Sequence, residues 1–322
     1  MKRGILVVLC MVLLAGLLFA GGTKEKKGET ASTPVLVMVT KGVHPYYEPC
    51  FAGFLDAAKK YGVVAEKVDP QKFELPLQVK VIEDLIARKV DGIAISALDD
   101  AGLVPVINEA TKAGIKIITF DAPAPSSAAL TYIGTDNETA GYEAGKRMAK
   151  VMGNSGELII LQGGLGAANL NLRTKGFKRA VAEVAPNIKV LDVVDVQGDF
   201  AVAVNKTEAI LQAYPNLKGI FAVSAEGAPA ASAVLKQQGK AGKIMLGGFD
   251  DLKDTLQGIR DGSVAFCVVQ KTYKMGWLSV EMLLKALKNE SIPKVIDTGV
   301  LFVDKSNVDT YMEEMKKEFS PQ

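Results

Sequence analysis

From Pro34 onward one pattern repeats: a short, near-continuous apolar run rich in β-branched residues, then an amphipathic stretch of helix length. Strands with one wet face alternate apolar and polar residues. Continuous runs mark strands buried on both faces, the condition of a parallel sheet covered by helices. The runs are Val35–Thr40, Val63–Val68, Gly92–Ser96, Ile115–Phe120, Leu130–Ile133, Glu157–Leu161, Lys189–Val194, Gly219–Val223, Lys243–Gly247, Ser263–Val269 and Val295–Val303. Helical periodicity fills gaps between them, at Gln78–Lys89, Asn137–Val151, Thr174–Val184, Ala201–Ala213, Ala228–Gln238 and Lys271–Lys288. Gly62, Gly114, Gly153 and Gly239 stand where left-handed helix ends are expected. Alternating strands and helices imply right-handed βαβ units and doubly wound α/β sheets. So many strands exceed an ordinary open sheet, which predicts two sheets of five or six. The first crossing between them is expected at Ile133–Asn137, where Asp136 or Asn137 can cap the next helix.

The rarest residues exclude most chemistry. The 322-residue chain has one histidine and three cysteines, which rules out a zinc site needing two histidines and a disulfide-dense scaffold. No metal and no cofactor are expected. Cys50 and Cys267 can pair only if the fold brings them within disulfide reach. Gly164-Leu165-Gly166-Ala167-Ala168-Asn169 nearly matches a dinucleotide fingerprint, but Asn169 replaces the third glycine. Gly141–Arg147 lacks the spacing and hydroxyl of a phosphate loop, and Gly153-Asn154-Ser155-Gly156 is no nucleophile elbow.

Met1-Lys2-Arg3, an apolar run from Gly4 to Ala20, and the small residues Ala20-Gly21-Gly22 follow the order of a secretory signal. No cysteine follows the run where a lipoprotein would carry one, so a lipid anchor is not expected. Thr23–Thr33 reads as a flexible tether. Five basic residues but only two acidic ones precede Pro34, so the apparent charge of +2 belongs to the leader. The remainder has no basic surplus for tracking phosphates, and nucleic acid is disfavoured as a partner.

Several strand ends carry groups that an apolar core does not need: His44, Tyr46 and Tyr47 after the first run, Asp121 after the fourth, then Asp250 and Gln270. In doubly wound sheets, ligands bind beyond the carboxyl ends of the strands. Aromatic faces suit the C–H faces of a sugar, and carboxylates and planar donors suit its hydroxyls. This set therefore suggests a neutral polyhydroxylated ligand, with Tyr46, Tyr47 or Phe200 as faces and Asp121, Asp250, Asn169, Arg173 and Gln270 as hydroxyl partners.

Eight fragments in order carry a resemblance: HPYY at 44–47, TFDAP at 119–123, YIGTDN at 132–137, NLNLRTKGF at 169–177, GDF at 198–200, FAVSAEGAPA at 221–230, GGFDD at 247–251 and VVQ at 268–270. Over Pro34–Gln322 the chain resembles the periplasmic sugar-binding proteins of ABC importers, type I, and within them the xylose- and glucose-binding members. The resemblance implies two doubly wound lobes joined by a multi-crossing hinge near Asp136, Gln270 and Asp297–Leu301. The implied division is a signal at 1–22, a tether at 23–33, one lobe from 34–136 with 271–298, and the other from 137–270 with 299–322. It implies an exported monomer that binds a monosaccharide, is not an enzyme, and docks on an importer permease, with a chemoreceptor as the further candidate partner. The ring-sandwiching aromatics would be Tyr46 and Tyr47, with Phe200 from the second lobe. His44, Asp121, Asn169, Arg173, Asp250 and Gln270 would hold hydroxyls, and Ser224 or Glu226 would take the place of an asparagine. Ala122 stands where ribose-binding members carry arginine, which argues against ribose. A polyol, cyclitol or furanosyl signal on the same fold is the alternative ligand. A sugar- or nucleotide-acting α/β enzyme is the alternative class.

Overall fold

The computed structural model describes residues 32–318, with side chains to residue 315; the leader and most of the tether expected from the sequence lie outside them. In chain order the first elements are β1 (Val35–Val39), α1 (Tyr47–Tyr61), β2 (Val64–Val68), α2 (Leu75–Arg88), β3 (Gly92–Ile95), α3 (Val104–Lys112), β4 (Lys116–Phe120) and β5 (Tyr132–Gly134). Then come α4 (Asn137–Val151), β6 (Ser155–Gln162), α5 (Ala168–Val184), β7 (Asn187–Asp195), α6 (Phe200–Ala213), β8 (Leu217–Ala222), α7 (Gly227–Gln237), β9 (Met245–Phe249), α8 (Lys253–Asp261) and β10 (Phe266–Gln270). The chain finishes with α9 (Thr272–Leu287), β11 (Val295–Asp297), β12 (Val300–Asp304) and α10 (Val308–Glu318).

The strands form two six-stranded sheets, ordered β11-β5-β4-β3-β1-β2 and β12-β10-β9-β8-β6-β7. The two orders correspond strand for strand, except that β11 joins its sheet parallel and β12 antiparallel. The continuous runs become central strands: β3, β10 and nearly all of β1, β4 and β9 are buried. Each sheet carries apolar clusters, and burying such a side chain is worth about 1.5–3 kcal/mol. All four glycines predicted at helix ends have positive φ, and Asp136 caps α4 through the Thr139 N–H.

One run departs from the expectation. Val295–Val303 is two strands in two sheets, because the chain turns at Thr298-Gly299, with Gly299 at φ 77°. The chain thus crosses between sheets three times, after β5, β10 and β11, and the crossings are laced together. Thr135 Oγ1 donates to Gln270 Oε1 at 2.9 Å. Asp297 Oδ1 accepts the backbone N–H of Asp136 at 3.1 Å and of Gly299 at 2.9 Å. Cys50 and Cys267 are both free and buried, in apolar clusters on different sheets.

Candidate functional site

Asp121 follows β4 and Asp250 follows β9, which hold the same place in the two sheets. Both follow a buried phenylalanine, and both lie in the left-handed region, at φ 57° and φ 68°. That conformation costs a side-chain-bearing residue roughly 1–2 kcal/mol, although aspartate tolerates it better than most. It turns each chain away from its sheet and leaves a carboxylate at the strand tip.

The two tips meet in one cavity with a void of about 50 Å3, room for a few waters. A wider cavity of about 610 Å3 beside β5 and β11 gathers fewer convergent polar groups, so size does not decide the assignment. Of the residues predicted from the sequence, the small cavity gathers His44, Tyr46, Tyr47, Asp121, Asn169, Arg173, Ser224, Glu226, Asp250 and Gln270. Phe200 is not in its lining. As the first residue of α6, after the capping Asp199, it is 49% exposed. The cavity's further aromatic is Phe73, from the loop before α2.

Asp121 accepts from Ser96 Oγ at 2.6 Å, Tyr46 Oη at 2.8 Å and Tyr47 Oη at 3.4 Å, with Lys41 Nζ at 3.8 Å. Lys41 also donates to Asn169 across the cleft at 3.1 Å. Burial lowers the Lys41 pKa, and the facing Asp121 opposes that shift. Asp250 has a single side-chain partner: Gln270 Nε2 donates to it at 2.9 Å, and to Tyr46 Oη at 2.9 Å. Burial pushes the Asp250 carboxyl up to about 7, against the pull of Arg173 and Gln270. Asp121, Tyr46, Gln270 and Asp250 thus form one chain of hydrogen bonds from tip to tip.

Tyr46 and Tyr47 do not form a parallel sandwich. Their rings stand at 79°, and Tyr47 is buried edge-on against Phe120. His44 Nδ1 accepts the Tyr46 N–H at 3.1 Å. Burial lowers the His44 pKa, so the neutral ring keeps its proton on Nε2 as a donor. Ser224 donates to Glu226 at 2.7 Å, and burial raises the Glu226 pKa.

Arg173, on α5, is 1% exposed. Its Nε donates to Asn137 Oδ1 at 2.8 Å, its Nη1 to the Val223 carbonyl at 2.9 Å, and its guanidinium lies 4.1 Å from the Phe249 ring centre. Its Nη2 is buried without a partner. Leaving a charged donor unpaired costs more than the about 1–3 kcal/mol of a neutral one, so the group calls for an acceptor. Behind the cavity, Asn137 Nδ2 donates to Tyr132 Oη at 3.0 Å, and Tyr132 Oη reaches the Asp121 carbonyl at 3.0 Å. Arg173 and Asp121 are therefore joined from behind as well. Sequence reasoning missed Lys41, Phe73, Asn137 and Tyr132 as site residues. Only Lys41, a cation directly after a buried strand, carried a readable signal.

The arrangement offers acceptors, donors and aromatic edges to a neutral ligand. Among the described residues no cluster of three or more His, Cys, Asp or Glu side chains could hold a metal. No helix among them is long and apolar enough to cross a membrane.

Residues 35–291 match the periplasmic binding protein domain family. The ribose import binding protein RbsB of Salmonella typhimurium is 28% identical over 262 residues, 81% of this chain and 87% of that protein. An ABC transporter solute-binding protein from Burkholderia graminis, solved with D-arabinose, is 41% identical, with a TM-score of 0.83 over 86% of this chain and 97% of that one. GanP, a glucose-galactose binding protein from Geobacillus stearothermophilus, is 30% identical, with a TM-score of 0.82 over 85% and 98%.

Proposed function

The chain belongs to the periplasmic binding protein family, a family of binders rather than enzymes, and from that membership we propose that it captures a neutral aldose between its two lobes and delivers it to an ABC importer. The observation that carries the reading is the cavity itself: two strand-tip aspartates and a buried arginine with one unpartnered donor converge there from both sheets. Sugar hydroxyls can donate to Asp121 and Asp250 and accept from Arg173 Nη2, Lys41 and His44 Nε2. A closed polar site of this kind selects strongly, because a ligand lacking one hydroxyl strands a buried partner.

A pyranose of the xylose, arabinose or glucose class fits best. The solute-binding protein 41% identical to this chain was solved with D-arabinose, and the cation beside Asp121 is Lys41 rather than residue 122. Residues 34–136 with 271–298 form one lobe and 137–270 with 299–322 the other. Residues 1–22 direct export and 23–33 tether the body. Sugar bridging both lobes binds the closed state better and shifts the population toward it; the closed form then docks on the permease.

Calorimetry of the purified protein against xylose, arabinose, glucose, galactose, ribose and inositol tests the reading. Saturable binding of at least one aldose is expected. Silence across the panel would sink the sugar assignment, and preference for inositol would move it to a cyclitol.

A further inference from the structure

Phe73 sits in the loop between β2 and α2, and its ring lies between two glycines from different sheets. A Cβ on Gly42, after β1, would come within 2.6 Å of Phe73 Cδ2 and 2.7 Å of Cε2. A Cβ on Gly198, just before α6, would come within 3.0 Å of Cδ1 and 3.3 Å of Cε1. One ring edge therefore rests on first-sheet backbone and the other on second-sheet backbone. Gly198 has φ +65°, so both its conformation and its missing side chain suit the contact. The ring also stands edge-on to His44, with centroids 6.2 Å apart, and lines the cavity.

We propose that Phe73 is the aromatic closure of the cleft. Its seat on Gly198 forms only when the lobes come together, and the ring then covers the end of the ligand beside His44. The inference rests on the sugar reading above and deepens it in two ways. Phe73 holds the closed state, so it governs how fast a bound sugar leaves. It also walls off one end of the ligand, so a free monosaccharide enters while a glycoside substituted at that end is refused. The GDF segment takes part through Gly198, while its Phe200 faces outward.

The test takes whichever aldose binds best and measures its release by stopped flow, together with binding of its methyl glycosides. Phe73→Ala is expected to release the sugar about tenfold faster, as loss of ~1.4 kcal/mol of closed-state contact would give, and to accept a methyl glycoside that the wild type refuses. Gly198→Ala should speed release similarly, because its Cβ displaces the ring. Gly62→Ala is the control: it carries the same left-handed strain at φ +67° with no atom within 4 Å, and release should be unchanged. Gly198→Ala should add nothing once Phe73 is alanine. Release at the wild-type rate from Phe73→Ala, or equal acceleration by Gly198→Ala in both backgrounds, would overturn the proposal while leaving the sugar reading intact. A wild type that binds no sugar would overturn the reading beneath it.

Discussion

Asp121 and Asp250 occupy the same position in two sheets of matching order, with the same left-handed backbone, yet their surroundings are opposite. Asp121 is satisfied by three hydroxyls and faces a lysine. Asp250 has one amide and burial. The difference teaches that matched backbone geometry does not fix a carboxylate's surroundings: the protein places three donors on one tip and one on the other. Tyr46, held between them through Gln270, shows that this gap takes an O–H group.

Matched substitutions sharpen the contrast, since asparagine tolerates the left-handed region. The largest effect is expected from Asp121→Asn, which sets an amide against three hydroxyl donors and leaves Lys41 without its counter-charge. It should lower ligand-free stability by roughly 2 kcal/mol or more, read by denaturant unfolding. Asp250→Asn should act with the opposite sign. The folded carboxyl holds its proton up to about 7, against an ordinary value of 3.8. The unfolded chain loses that proton first, so this group's contribution is greatest below about pH 4 and declines as pH rises through 7. Asp250→Asn should therefore raise the melting temperature at pH 8 by about 3 °C or more and change it little at pH 4. Equal destabilisation by both variants would break the comparison.

Binding should show the same asymmetry. Hydroxyls donated to Asp250 favour its carboxylate, so sugar binding releases a proton. Affinity should then rise about tenfold from pH 6 to pH 8, and in Asp250→Asn that rise should vanish in calorimetry. A smaller effect is expected behind the cavity. Asn137→Ala should weaken binding about fivefold by freeing the Arg173 guanidinium, a loss of ~1 kcal/mol, and should cost nothing further in an Arg173→Lys background. The smallest is at the hinge: Asp297→Ala should speed hydrogen exchange at the Asp136 and Gly299 amides and change global stability by less than about 1 kcal/mol.

Much of this was legible in the sequence because parallel strands buried on both faces must be apolar throughout, so a charged residue at such a run's end stands out. Asp121 and Asp250 are residues of that kind. Phe73 was not legible: it lies in an irregular loop without periodicity, and its meaning depends on Gly198, far along the chain. Phe200, the aromatic after Gly-Asp, stands outside the cavity lining, because the Asp199 cap starts a helix whose first side chain is half exposed. Val295–Val303 reads as one run because hydrophobicity continues across the crossing; the boundary between 298 and 299 comes from the family resemblance, and Gly299 makes the turn there.

The last two strands bear on how the molecule is made. β11 completes the first sheet by pairing with β5, yet five strands of the second sheet lie between them in the chain. β12 then completes the second sheet against β10. Neither sheet can close its outer edge until residues near 300 have left the ribosome. Contacts so distant in sequence form slowly, so a nearly complete chain stays open during synthesis.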